Sequence, residues 1–414
     1  MNFKFLHAAD LHLDSPLQGL AAKSAGLAER IEDASRRALD QLVDTAIAEE
    51  CRFVVLAGDI FDGELRNIKT GLYFVSRMRR LAEAGVGVFI ALGNHDAANG
   101  FMDKLQFADS VHVFSKRKAE SIRLPDVGAV IHARSFPQED VRENLARNYP
   151  AAEPGVFNIG ILHTACQGRE AYHAPYAPCS LAELVNHGYQ YWALGHVHAS
   201  AVLSERPYVA YPGNLQGRHI RESGPKGALL VAVEDKEVAG LEHRSLDVCR
   251  WSIVDIDISE CGSRADLVAR TREHLRSALG DAEGRAIAVR VRFAGESSLS
   301  GLIALDLQGL REDVFAAAAA VSDDIWIERV ALAATPSIAT DAIEAGTAGI
   351  LSQEIIDLPP EALPANLELM LGALRDKLPA GARADELLER LRAEAPHRAM
   401  QSALSLIHGG TDAN

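Results

Sequence analysis

No stretch of this chain approaches the ~20 uninterrupted apolar residues that a bilayer span requires, which argues against a membrane protein. Cysteine is scarce as well. The five at positions 51, 166, 179, 249 and 261 are odd in number and include no CxxC pair, which speaks against a disulfide framework and a thiolate zinc site and fits a reducing cytoplasm. Positive charge is the third deficit: 42 Lys and Arg stand against 57 Asp and Glu, a formal net charge of -15. A protein that grips nucleic acid by bulk electrostatics alone needs many Lys and Arg contacts to phosphate, so the charge argues against that mode. Any phosphate chemistry must be organised locally, by metal cations, by small basic clusters such as Arg77, Arg79 and Arg80 or Lys116-Arg117-Lys118, or by a partner subunit.

What is present reads as a globular α/β protein. With 414 residues, 48% of them hydrophobic, two or three domains are expected, and no repeat or low-complexity tract interrupts the pattern. Residues 1–245 alternate short apolar runs with amphipathic segments. The runs 3–9, 53–57, 86–92, 157–162 and 189–194 predict buried strands, and the helical spacing of Ile31, Ala34, Ala38, Leu42, Val43, Ala46 and Ile47 predicts a helix between the first two. Residues 246–336 change character. There Val254, Ile256 and Ile258 alternate with polar residues, Leu267, Thr271, Leu275 and Leu279 recur every four, and Ile287 to Phe293 alternate again, with a second helix over 310–321 and a third strand over 325–332. Residues 337–414, rich in Ala, Leu, Glu and Arg and punctuated by proline, predict short helices whose apolar faces need a surface to pack against.

Five polar clusters follow predicted strands in chain order: Asp10-Leu11-His12, Gly58-Asp59, Gly93-Asn94-His95-Asp96, His163, and Gly195-His196-Val197-His198. On extended backbone, residues i and i+2 share a side, so Asp10 with His12, and His196 with His198, are expected to aim two ligand atoms at one point. Carboxylate, imidazole and amide oxygen without cysteine suit Mn2+, Mg2+, Fe2+ or Zn2+. The glycines allow a sharp turn and a close approach. Taken singly, each residue reads as blandly as a helix cap, a turn former or a core histidine. All five clusters in order, each at a strand end, point instead to a metal centre.

These motifs resemble the calcineurin-like metallophosphoesterases. Ala9-Asp10-Leu11-His12-Leu13, Ala57-Gly58-Asp59-Ile60-Phe61-Asp62 and Tyr211-Pro212-Gly213-Asn214 resemble the SbcD branch of DNA-repair exonucleases, and Asp14-Ser15-Pro16-Leu17 with Leu215 to Glu222 are most similar to its YhaO-type members. The resemblance implies a four-layer α/β/β/α sandwich over residues 1–245, a small α/β capping domain and a helical C-terminal region. It implies two divalent ions, with Mn2+ the foremost candidate, bridged by Asp59. Asp10, His12 and His198 would complete one coordination shell, and Asn94, His163 and His196 the other. His95 would face the leaving oxygen as acid or positive charge, oriented by Asp96. Where relatives place a second histidine, three residues after the bridging aspartate, this chain has Asp62, so a two-histidine arrangement does not carry over.

Physically, two ions ~3.5 to 4 Å apart lower the pKa of a shared water and polarise phosphoryl oxygens for in-line attack. Arg218, His219 and Arg221, following Tyr211-Pro212-Gly213, are candidates for touching substrate, with ordinary salt bridges to Glu222 as the alternative for the arginines. The activity expected is metal-dependent cleavage of DNA in repair. The alternatives are a phosphoesterase of the same fold acting on nucleotides or other small phosphodiesters, and a non-catalytic adaptor. The resemblance also implies an SMC-like ATPase partner docked on the C-terminal helices, and leaves a homodimer open.

Overall fold

A computed structural model of the chain describes residues 2–15, 17, 33–62, 68–166 and 176–297, most positions from 299 to 336, and scattered positions between 371 and 395. It divides into two compact units, Met1–Ser252 with Ala282–Ala288, and Ile253–Asp281 with Val289–Asn414.

In the first unit, β1 (Phe3–Ala8), β2 (Phe53–Ala57), β3 (Gly87–Ala91) and β4 (Val111–Val113) pair in parallel. On the other side of β1, β11 (Gly227–Glu234) and β12 (Glu237–Ser245) complete a six-stranded sheet in antiparallel fashion. A second sheet runs in the order β5 (Glu120–Leu124), β6 (Ala129–Ala133), β7 (Phe157–His163), β8 (Tyr191–Gly195), β10 (Tyr208–Tyr211) and β9 (Ala201–Glu205). Its centre, β6 to β10, is parallel.

Strands covered on both faces need apolar residues throughout, and every residue of β2 and β7 is buried. Between the sheets lie Phe3, Phe5, Phe53 and Phe89 from one and Phe157, Ile159, Ile161 and Tyr191 from the other. Phe5 stacks on Phe53 at 5.0 Å and meets Tyr191 edge-on at 5.3 Å. Outside the first sheet, α1 (Ala34–Ala48) and α2 (Ile68–Glu83) set Leu39, Leu42, Phe74 and Met78 against Leu6, Val54, Leu56 and Val88. A third helix, α3 (Asn94–Asn99), opens just beyond β3. Outside the second sheet, Trp192, Leu194 and Tyr211 are covered by Phe136, Leu145 and Tyr149 and by Leu184 of the short helix α4 (Leu181–Val185). The unit is therefore an α/β/β/α sandwich with a thin last layer.

The second unit is built on a three-stranded sheet, β13 (Cys249–Asp257), β14 (Ala286–Ala294) and β16 (Ile325–Leu332), with α5 (Arg264–Gly280) packed against α6 (Leu307–Val321). A two-residue strand β15 (Glu296–Ser297) pairs with β17 (Thr335–Pro336).

The structure trims several expectations. The first strand stops at Ala8, because Asp10 already turns with a φ of 52°. The strand expected over 189–194 begins at Tyr191 and runs to Gly195. Seven further strands of the first unit, β4–β6 and β9–β12, went unread from sequence, as did α2. Several of them are only half-buried, β5 and β9 above all, and half-buried strands lack a continuous apolar run. The helices expected after Pro336 lie outside the described residues, apart from scattered positions between 371 and 395. All five cysteines are buried and none forms a disulfide. Among the described residues, no helix is long and apolar enough to cross a membrane.

Candidate metal centre

Parallel pairing brings the carboxyl ends of β1, β2 and β3 to one edge of their sheet, and those of β7 and β8 to one edge of theirs. Backbone bonds then bind the loops beyond. Asp10 N–H donates to Gly58 O at 2.9 Å, His12 N–H to Asp59 O at 3.0 Å and Thr164 N–H to Gly195 O at 3.1 Å. Two of the bonds that join the sheets lie at this edge. The His196 N–H donates to the Asp10 carboxylate at 3.0 Å, and His163 Nδ1 donates to Ala57 O at 2.8 Å, which leaves Nε2 to face inward.

The expected i, i+2 geometry needs correction. Asp10 and His12 lie beyond the end of β1 with φ of 52° and 43°, and Asp59 and His196 also have positive φ, 53° and 98°. Left-handed backbone is costly for any residue with a Cβ, though least so for Asp, Asn and His. Asp10 and His12 are therefore aimed together by a coiled loop rather than by pleat alternation. His196 and His198 do not share a target at all. His198 joins Asp10 and His12 in one group of ligand atoms, while His196 joins Asp59 and His163 in another, each group lying within 4.8 Å.

Asp59 stands between them. Its Oδ2 is 3.9 Å from His12 Nε2 and 3.4 Å from His163 Nε2, while Oδ1 accepts the His95 N–H at 3.0 Å. Asn94 Oδ1 is 3.0 Å from His163 Nε2, which places the amide oxygen in the second group. His12 Nε2 and His198 Nε2 are 3.3 Å apart.

His95 is part-exposed at the rim, and its Nδ1 lies 3.1 Å from Asp62 Oδ1. This corrects the role expected of Asp96. Both Asp96 carboxylate oxygens turn inward to accept N–H donors from Ile60, Phe61 and Gly93, so it pins the β2 and β3 loops together and leaves the orientation of His95 to Asp62. Asp62 also accepts from Ser15 Oγ at 2.8 Å. His12, Asp62 and His95 form a third ligand-capable group at the same mouth.

Burial works against every charge here, and neighbours decide the outcome. Burial alone would raise Asp59, yet the His163, His12 and His95 imidazoles around it hold its carboxyl far below the usual range. Burial would discharge His163, but Asp59, joined by Asp10, lifts its pKa to about 9. Asp10 is pushed up to about 6 by burial, only partly offset by His198 and His163. The hydrogen bond from His95 holds Asp62 well below the carboxylate range and in turn raises His95.

Such a donor set fits divalent cations. Two clusters of imidazole, carboxylate and amide oxygen converge on a shared carboxylate oxygen, and the two imidazole Nε2 atoms at 3.3 Å point at each other across a space a cation would fill. Asp10, His12 and His198 would hold one ion, Asn94, His163 and His196 the other, with Asp59 touching both.

Residues 3–200 match the family model described as calcineurin-like phosphoesterase, and residues 251–335 that of the middle domain of metallophosphoesterase YhaO. The chain carries a calcineurin-like metallophosphoesterase domain. An uncharacterized metallophosphoesterase YhaO of Bacillus subtilis (strain 168) is 38% identical over 260 residues, covering 62% of this chain and 63% of that protein. A DNA double-strand break repair protein Mre11 of Aeropyrum pernix is 26% identical over 288 residues, 64% of this chain and 66% of that protein. This chain thus spans less than two thirds of either relative's length. A solved dimetal phosphatase from Danio rerio aligns with a TM-score of 0.35 at 14% identity, over 55% of this chain and 92% of that one, too loosely to argue from.

Of the substrate candidates, Arg218 reaches the ligand groups. Its Nη1 is 4.0 Å from Asp62 Oδ2, its Nη2 3.2 Å from His198 Nδ1, and its Nε is buried without a hydrogen-bond partner. His219 is half-buried, 3.6 Å from Glu222, and its Nδ1 is also buried and unpartnered. Arg221 is exposed. Two residues went unassigned by the sequence reading. Asp62 was noted only as a substitution, and Glu222 only as a salt-bridge partner, whereas here it accepts from His198 at 2.7 Å. Only its place in the stretch Leu215 to Glu222 hinted at this. The basic clusters offer less than their composition suggested, because Arg77 pairs with Asp40, Arg80 with Asp44 and Lys116 with Asp103.

Proposed function

We propose that this metallophosphoesterase cleaves the phosphodiester backbone of DNA in repair, as a 3′ to 5′ exonuclease or an endonuclease. The observation that carries hydrolysis is the single Asp59 oxygen facing both ligand groups, with His95 beside it at the open rim. Bound divalent ions, Mn2+ foremost, would activate water and polarise the phosphoryl oxygen. The protein's own side chains do the rest. Asp62 takes Nδ1 of His95, so the opposite nitrogen donates a proton to the departing oxygen. Arg218 meets the phosphate with a guanidinium whose Nε has no protein partner. Support for DNA over other diesters comes from the similarity to Mre11-type repair proteins, while the YhaO relative is uncharacterized. An SMC-like ATPase partner fits a chain of net charge -15 in whose basic clusters Arg77, Arg80 and Lys116 are already paired, since the partner would supply the charge that holds duplex.

The test compares linear DNA with cyclic nucleotides and aryl phosphodiesters, using the full chain with Mn2+, with chelator, and with or without a candidate ATPase. Faster cleavage of DNA, abolished by chelator and by Asp59→Asn, supports the proposal. Turnover of small diesters alone moves the assignment to a nucleotide-type phosphodiesterase, and calorimetry showing no ion binding moves it to an adaptor.

A further inference from the structure

We infer that Glu222 is a positioning residue of the metal centre, one that fixes the proton of His198 on Nδ1 so that Nε2 is presented to the first ligand group. This rests on the two-ion reading of the site.

Glu222 lies in the short turn Ile220–Glu222, far along the chain from every ligand except His196 and His198, and only 6% of its surface is exposed. A buried carboxylate without donors would be costly, and this one is surrounded by them. His198 Nδ1 lies 2.7 Å from Oε1. The Arg218 N–H donates to Oε2 at 2.7 Å, Asn214 Nδ2 to Oε2 at 2.9 Å, and Arg218 Nη2 to Oε1 at 3.3 Å. A carboxylate with this many donors is an acceptor on both oxygens, so the proton between it and His198 belongs to the imidazole. Arg218 Nη2 is also near His198 Nδ1, at 3.2 Å, but that nitrogen's proton is committed to the closer carboxylate and the guanidinium shares Oε1 instead.

With Nδ1 protonated, the lone pair of a neutral imidazole sits on Nε2. That atom is the one placed 3.3 Å from His12 Nε2 and 4.0 Å from Asp10 Oδ1. The backbone is gripped at the same residue. Lys226 Nζ donates to His198 O at 2.8 Å, and Asn214 N–H reaches the same oxygen at 3.4 Å. Ring rotation and loop position are thus set by different partners, and Glu222 is the acceptor that faces Nδ1. Carboxylates holding the far nitrogen of a ligating histidine commonly change metal affinity ~10–100-fold when removed. His163 provides a contrast within the same site, since a backbone carbonyl, Ala57 O, performs that task for it.

The test measures ion binding rather than turnover. Full-length wild-type protein, Glu222→Ala and Glu222→Gln are titrated with Zn2+ by calorimetry, and the histidine ring nitrogens are followed by 15N NMR. Wild type should bind two ions, with His198 an Nδ1–H tautomer that is lost in Glu222→Ala while that of His163 is kept. In that variant one ion should weaken ~10–100-fold while the other keeps its affinity. Glu222→Gln, which is isosteric and retains an oxygen acceptor, should fall between the two, and it carries the test if the alanine variant does not fold. Two ions bound as tightly in both variants as in wild type would overturn the proposal and leave the proposed function standing. A wild type that binds no ion would overturn both.

Discussion

At the scale of single residues, His95 and Asp62 divide a task that a lone side chain could not perform. The hydrogen bond from Nδ1 to Asp62 orients the ring and stabilises its charged form, which suits proton donation to an alkoxide. His95→Gln should therefore lower turnover on DNA by ~10²–10⁴ with ion content unchanged. The same variant should lose far less on a nitrophenyl diester, whose leaving group departs as a stable anion. Equal losses on both substrates would show that His95 acts as a fixed charge rather than an acid.

His7 sets a pH dependence of its own. It is fully buried, its Nδ1 accepting from Tyr191 Oη at 3.0 Å and its Nε2 donating to Leu194 O at 3.0 Å, and burial pushes its pKa down to about 3. The folded value lies below the ~6.5 of an unfolded chain, so its contribution is complete above 6.5 and drains away as pH falls towards 3. Between pH 7 and 5 this one residue should remove about 2 kcal/mol of stability. Denaturant titrations at the two pH values should show that loss diminished in His7→Asn.

Elements matter where strand ends are pressed together. A Cβ on Gly195 would lie 1.9 Å from Ala57 O, and one on Gly93 would lie 2.3 Å from Asp59 Oδ1. These glycines are spacers between β8 and β2 and between β3 and Asp59, while Gly58, with a φ of 94°, is the one that turns. Gly195→Ala should cost at least ~1–3 kcal/mol, read from the denaturation midpoint, and should weaken ion binding because backbone rather than a flexible side chain must yield. The glycines were legible as punctuation after strands. Which of them turns and which admits a neighbour was not, since that depends on contacts between strands far apart in the chain, 138 residues for Gly195 and Ala57. The i, i+2 argument failed for the same reason: it assumed pleated backbone where the loops coil, and so it could not separate His196 from His198.

For the molecule as a whole, the alternation of apolar runs gave the α/β class and the five clusters at strand ends a candidate metal centre, while the α/β/β/α layering came from the family resemblance those clusters carry. The carboxylates that hold site histidines, Asp62 for His95 and Glu222 for His198, stayed hidden because little in their local sequence distinguishes them from surface acids. Nor could composition reveal that Arg77, Arg80 and Lys116 were already paired. Divalent ions that bind only the folded state should raise its stability by ~2.7 kcal/mol at a hundred times their dissociation constant. A melt with Mn2+ should therefore run hotter than one with chelator, and Asp59→Asn should lose most of that difference.

The ligands are drawn from both sheets: Asp10, His12, Asp59 and Asn94 follow strands of one, while His163 ends a strand of the other and His196 and His198 follow its neighbour. Cations seated there would behave as a clasp at one end of the sandwich, drawing two separately hydrogen-bonded halves into a single mechanical body. Hydrogen exchange should report the closing of that clasp as one event, with amides in all five loops slowing together as ions are added.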